Sequence, residues 1–248
     1  MVETAIILAA GKGMRLGSLT ETLPKCLVSV AGKPILVRML ENFQNAGIKE
    51  IAIVTGYQEG EIKKRIGSNF QGMRISYISN PKYETTNNIY SLWLAKEFLK
   101  KEVIITAGDI LVKKQVIFDV VRNKVPNIGV VSGWRPGLNG TAASLNGGVI
   151  DGIFLKKDQH ADFDYADKFK TVNIFKLSPE FLQDVFLPRL DQFIQNSQLS
   201  DFYEIALRDI IREGRHSIYM HLIEGSDWYE VDTPEELAEA EKIVSGWK

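Results

Sequence analysis

Gly11-Lys12-Gly13-Met14-Arg15 directly follows the apolar run Ala5-Ile6-Ile7-Leu8, and Pro24-Lys25 comes nine residues after the loop. A glycine turn at the end of a short apolar strand lets backbone N–H groups approach a phosphate closely. Three phosphate ligands fit such a turn in principle. The ATPase pattern GxxxxGK[ST] is absent. A dinucleotide fingerprint needs a third glycine where Leu16 stands, and an acidic residue at the end of the second strand, where Thr55 and Gly56 stand. What remains is a triphosphate. Between Gly11 and Arg38 the basic residues Lys12, Arg15, Lys25, Lys33 and Arg38 face one acid, Glu21, in a chain of net charge -1. Arg15 and Lys25 are placed to neutralise a polyanion beside the loop.

The elements that must carry these residues follow from periodicity. Thr4 to Ala9 reads as a buried strand and Pro34 to Ala46 as a helix with Gly47 as its C-cap. Strands at 51–55, 73–79, 103–106 and 128–132 alternate with helical patterns at 59–66, 87–100 and 114–122. This rhythm predicts an α/β fold with a Rossmann-like, doubly wound, mostly parallel sheet. The character then changes. Asn146-Gly147 predicts a hairpin turn, 170–176 and 218–223 read as strands, and 179–195, 202–213 and 234–244 as helices. The expected organisation is one domain over 1–248, with a nucleotide-binding half (1–133) and an acceptor-binding half (134–248) that adds antiparallel strands to one edge of the sheet.

Composition narrows the function classes. Hydrophobic residues make up 45% and charged residues 25% of 248 residues, as in ordinary globular proteins. The balanced charge gives no reason to expect nucleic acid as a partner. No apolar run is long enough to span a membrane, and the start of the chain lacks the pattern of a signal peptide. One cysteine, Cys26, precludes an intrachain disulfide. A cytoplasmic protein is expected, and oligomeric state is open, a homodimer included.

AAGKGMRL-x3-T-x3-PK-x-L, followed in order by GKPIL, AGIKEI, the Asp109 strand end and WYEVDTPEEL, resembles the nucleotidyltransferases that activate small phosphates. Those enzymes transfer a nucleoside monophosphate from an NTP to a phosphorylated acceptor and release pyrophosphate, on a GT-A-like sheet. The resemblance assigns nucleotide binding to the loop around Leu8, Ala9, Ala10, Gly11 and Gly13, and phosphate contact and catalysis to Arg15 and Lys25. It also assigns Mg²⁺ to Asp109, after the fourth strand, and Asp232. From the residues alone, Asp232 reads equally as the N-cap of the last helix, and Asp109 as a turn residue. A phosphate acceptor has its second pKa near ~6, so its oxygen is already ionised at neutral pH and no general base is needed. None of the three histidines stands in a suggestive motif. Cys26 reads as a packing residue rather than an activated thiolate.

Asn80 to Ala95 (NPKYETTNNIYSLWLA) is similar to the corresponding region of phosphocholine cytidylyltransferases, while KTVNIFKLS and WYEVDT are similar to inositol-1-phosphate and phosphonate cytidylyltransferases. The resemblance implies CTP as the donor, with Tyr83, Asn88 and Ser91 at the cytidine or acceptor pocket. For the acceptor, Lys170 is a candidate for its phosphate, Trp134 for a cationic head, and Asn139, Asn146, Asn173 and Glu204 for hydrogen bonding. Overall resemblance places inositol-1-phosphate slightly ahead, with phosphocholine or aminoethylphosphonate close behind. The rivals are a hexose-1-phosphate nucleotidyltransferase, a non-catalytic nucleotide sensor, and a glycosyltransferase whose DxD motif would be Asp162-Phe163-Asp164.

Overall fold

All six residues of the first strand, β1 (Thr4–Ala9), are buried in the computed structural model, which describes residues 1–247. A strand with no exposed face needs cover on both sides of its sheet. Ala5, Ile7 and Ala9 pack into one core, with Met39, Phe43 and Ile117. Ile6 and Leu8 point the other way, into a second core with Leu92, Phe186 and Leu190. The near-continuous apolar run is therefore divided between two helical layers.

The chain builds these layers in order. After β1 come two short strands, β2 (Ser29–Val30) and β3 (Lys33–Pro34), then α1 (Ile35–Ala46), β4 (Glu50–Thr55) and α2 (Glu59–Ile66). β5 (Asn69–Phe70), β6 (Met73–Ser79), α3 (Asn88–Leu94), β7 (Val103–Ala107), β8 (Ile110–Val112) and α4 (Lys114–Arg122) follow. β9 (Ile128–Gly133) closes the first half, and β10 (Ala142–Asn146), β11 (Val149–Phe154) and β12 (Phe169–Leu177) begin the second. It ends with a long interrupted helix, α5 (Pro179–Phe181) to α6 (Leu187–Gln195), then α7 (Glu204–Arg212), β13 (Tyr219–Ile223), β14 (Trp228–Glu230) and α8 (Pro234–Ser245).

The main sheet has ten strands in the order β10-β11-β13-β9-β12-β7-β1-β4-β6-β5. β7, β1, β4 and β6 are parallel neighbours, as the βα rhythm requires. The sequence rhythm also makes β9 the next parallel neighbour of β7, but β12 lies between them, antiparallel to both. The second half is thus interleaved with the first rather than added only at an edge. The sheet also curls, because β10 pairs with β12 as well as with β11.

Three local departures from the expected elements have physical causes. Asn87 lies outside α3 as its N-cap, with its side chain accepting from the Asn88 N–H, and α3 gives way to a 3₁₀ segment, Lys96–Lys100. The 179–195 helix contains a π-helical stretch, Leu182–Phe186, just before Pro188 at the start of α6. A proline inside a helix removes a ladder hydrogen bond and crowds the preceding turn, and a π turn accommodates that loss. The β10–β11 hairpin turns on Gly147 and Gly148, at φ 56° and 84°, while Asn146 is the last paired strand residue. A two-residue turn with both φ values positive accepts Gly-Gly as well as Asn-Gly, so the turn falls one residue later than the Asn-Gly pair.

Gly56, at the end of β4, is a packing point for the glycine loop. A Cβ there would lie 2.7 Å from Tyr83 Cβ and 2.8 Å from the Ala10 carbonyl oxygen. Gly56→Ala is expected to cost about 1–3 kcal/mol by forcing these backbones apart, read as a lowered melting temperature. A variant melting with the wild type would show that the loop yields freely.

Candidate active site

The glycine loop ends in a left-handed residue, Gly13 at φ 73°, and runs into a 3₁₀ segment, Met14–Thr20. Thr20 Oγ1 donates to the Gly13 and Gly17 carbonyls at 3.0 and 3.3 Å, fastening the segment back on the loop. A Cβ on Gly13 would sit 2.7 Å from Lys25 Cβ, so the loop lies directly on the lysine's aliphatic stem. Only glycine combines that backbone with that contact. Lys25 itself opens a short 3₁₀ turn after Pro24 and is buried.

The carboxylates arrive from the other end of the chain. β8 and β14 form a separate antiparallel pair, Ile110 against Glu230. Asp109 immediately precedes the first strand of that pair, and Asp232 follows the second. Asp232 is not the N-cap of α8. Thr233 takes that role, with Glu236 completing a capping box and also accepting from the Asp232 N–H at 2.7 Å. The Asp232 side chain is left available.

Lys25 Nζ donates to Asp109 Oδ2 at 2.5 Å and to Asp232 Oδ1. Arg15 pairs with the other Asp232 oxygen at 2.8 Å. Two cations and two carboxylates from positions 15, 25, 109 and 232 therefore converge. Burial pulls the Lys25 pKa down, but Asp109 and Asp232 outweigh it and hold the ammonium above its ordinary value. Cys26 next door has its thiol pushed up to about 12 by burial, so it stays a neutral packing residue.

This cluster stands where two clefts meet. The smaller, about 290 Å³, is lined by Leu8, Ala9, Gly11, Gly13 and Lys25. The larger, about 600 Å³, is lined by Asn88, Lys170, Asn173, Glu204, Trp228 and Glu230, among others. Arg15, Asp109 and Asp232 line both. In the larger cleft Lys170 is buried within β12. Its ammonium donates to the Thr171 carbonyl and lies 3.3 Å from Glu230. Burial raises the pKa of Glu204 against the opposing pull of Lys170. Burial also raises that of Glu230, with Lys170 opposing and Asp109 and Asp232 adding to the rise.

Other expected residues stand apart. Ala10 uses its carbonyl to accept from the Tyr57 N–H. Tyr83 packs on the Tyr57 ring at 6.2 Å, beside the loop. Ser91 is buried and accepts from Asn80 Nδ2 at 3.0 Å, outside both cleft linings. Trp134 stacks on Tyr165 at 4.5 Å and also lines neither cleft. Asp162 and Asp164 are exposed loop residues. Asn87 and Glu230 are cleft residues that the sequence reading did not assign. Glu230 had one signal in the sequence, its place two residues before Asp232 in the same segment.

Residues 4–129 match the family described as nucleotidyl transferase. The chain belongs to that family. Over 240 residues it is 33% identical to the CMP-5'-(3-aminopropyl)phosphonate synthase of Streptomyces rubellomurinus, covering 96% of this chain and 38% of that protein. It is 29% identical to the bifunctional IPC transferase and DIPP synthase of Aquifex aeolicus, covering 98% of this chain and 52% of that one. It thus spans well under two thirds of either relative. The solved structure of the CTP:phosphocholine cytidylyltransferase of Streptococcus pneumoniae shares the fold, with TM-score 0.78, 24% identity and coverage of 98% and 100% of the two chains.

Lys25→Met would leave Asp109 and Asp232 facing each other with Arg15 as their remaining partner. Breaking a buried pair costs about 3–5 kcal/mol, so the variant should melt well below wild type at neutral pH. Melting curves test this; a variant melting with the wild type would show that the ion pairs contribute nothing to stability.

Proposed function

We propose that this chain is a cytidylyltransferase that transfers CMP from CTP to a small phosphorylated or phosphonylated molecule and releases pyrophosphate. The convergence of Arg15, Lys25, Asp109 and Asp232 at the junction of two clefts carries the reading. A nucleotide in the glycine-loop cleft and an acceptor in the larger cleft would present their phosphates to the same four side chains. The preference for CTP draws support from the CMP product named for the Streptomyces relative.

Mg²⁺ fits the two aspartates. They already share one cation, the Lys25 ammonium, and Asp109 Oδ1 is buried without a hydrogen-bond partner. Among the described residues there is no cluster of three metal-ligating side chains, so a hard cation here would draw its remaining ligands from triphosphate oxygens and water. When bound, it would neutralise charge at the α-phosphate and pyrophosphate. Lys25 and Arg15 then hold phosphate oxygens, and the glycine loop fixes the triphosphate for in-line attack. An ionised acceptor oxygen forms the new bond to the α-phosphorus. The bond to the bridging oxygen breaks and its electron pair leaves with pyrophosphate, so no side chain has to remove a proton.

The carboxylates of the larger cleft support an acceptor bearing an amine over the inositol-1-phosphate that resemblance places slightly ahead. Glu204, buried, and Glu230, half-buried, both line that cleft. Either could pair with the ammonium of a ligand. The aminopropylphosphonate in the name of the Streptomyces relative supports the same class.

The decisive measurement is pyrophosphate release with each of the four NTPs against 2-aminoethylphosphonate, phosphocholine, inositol-1-phosphate and glucose-1-phosphate, with ³¹P NMR of the product. Turnover is expected with CTP and an amine-bearing acceptor. Nucleotide binding without release would indicate a sensor, and turnover with UTP and glucose-1-phosphate a sugar nucleotidyltransferase. Lys25→Ala and Asp109→Ala should each lower turnover by about 10²–10³-fold or more. Glu204→Gln should raise KM for the amine acceptor about tenfold and leave KM for CTP within about twofold.

A further inference from the structure

β12 breaks its own alternation in the wall of the larger cleft. Lys170 and Asn173 both line that cleft, although residues three apart on a regular strand face opposite sides of the sheet. The break is a bulge. Pairing between β12 and β9 shifts register between Thr171 and Phe175, and Asn173 takes φ 55°. Bulges re-aim side chains, and this one turns the Asn173 side chain into the cleft beside that of Lys170.

The choice of residue is informative. Glycine takes a left-handed backbone without steric cost, and asparagine tolerates it less well. If only the backbone mattered, glycine would serve better. The carboxamide has no evident use inside the fold either, because Asn173 Oδ1 is buried without a hydrogen-bond partner. Such an unpaired atom calls for an explanation. Position supplies one. The β12–β7 pairing ends at Ile174 and Thr106, and the cleft that Asn173 lines also takes in Ala107 and Asp109, just past that pair. The carboxamide thus lines the same cleft as Asp109.

We propose that Asn173 is a specificity-determining residue that binds the phosphoryl or phosphonyl group of the acceptor. This rests on the transferase reading above. Oδ1 is the atom turned inward, so the carboxamide offers its N–H donor, Nδ2, to the cleft. A phosphoryl oxygen only accepts, and a neutral donor can serve it beside Asp109 without adding a charge. Donation to one oxygen leaves another directed at the α-phosphorus. The bulge is then the device that brings a third acceptor-facing side chain, after Lys170 and Glu204, onto this wall.

Asn173→Gly keeps the left-handed backbone and deletes the amide, while Asn173→Asp keeps the shape and adds negative charge. The test is calorimetry of 2-aminoethylphosphonate and of phosphocholine on protein saturated with α,β-methylene-CTP and Mg²⁺, with KM values from the reaction itself. Asn173→Gly is expected to weaken the better-bound acceptor about tenfold and Asn173→Asp about a hundredfold. Both variants should bind the nucleotide analogue within about twofold of wild type, and the glycine variant should melt no lower than wild type. Unchanged acceptor affinity in Asn173→Gly would overturn the assignment, as would an equal loss of analogue and acceptor. A wild type that fails to bind α,β-methylene-CTP would instead remove the transferase reading, together with what rests on it.

Discussion

Two aspartates separated by more than a hundred residues are held within reach of one ammonium, and that arrangement is the constraint on which the site is built. Asp109 and Asp232 would repel each other if brought together alone. Lys25 donates to both, and Arg15 engages the second aspartate from the opposite side. Each partner depends on a different piece of the fold. The lysine stem is pinned under Gly13, the β8–β14 pair fixes the carboxylates, and the Thr233–Glu236 box keeps Asp232 out of the helix cap. The cluster holds matched charge in a partly buried place, and a polyanion with its cation can exchange into it without stranding a charge.

The clefts on either side of this cluster have different chemistry. The glycine-loop cleft is walled largely by backbone and small side chains, which suits close approach of a phosphate chain. The larger cleft carries ionisable groups in its wall, the buried Lys170 and Glu204 and the half-buried Glu230. On the proposed reading, selectivity between acceptors would be built into that second wall. The family's shared loop says little about it.

The loop half of the site was legible in the sequence because its logic is local: a strand, a glycine turn, and cations at fixed short spacing. Asp109 and Asp232 were legible through resemblance. Their meeting was not, since it depends on a two-stranded pairing between distant segments. Trp134 and Ser91 show the limit of residue type as a guide. Each has suitable chemistry, but one is taken up by an aromatic stack and the other by Asn80. Asn173 shows the converse. Strand periodicity assigns alternate residues to a face, and a bulge breaks that rule without a sequence signal of its own. The helical and strand segments were mostly read correctly, whereas the strand order was not, because β12 enters between two strands that the βα rhythm makes neighbours.

That insertion bears on how the chain can fold. Until residues 169–177 are present, β7 has an open edge where β12 belongs, and β9 has no link to the rest of the main sheet. An uncovered edge in the middle of an apolar sheet is a template for wrong pairing, and the contacts that close it are far apart in sequence, which slows their formation. Residues 1–133 therefore do not complete their part of the sheet by themselves. A chain growing from its N-terminus leaves that edge unpaired through the synthesis of residues 134–168, which makes assembly of the sheet a late event.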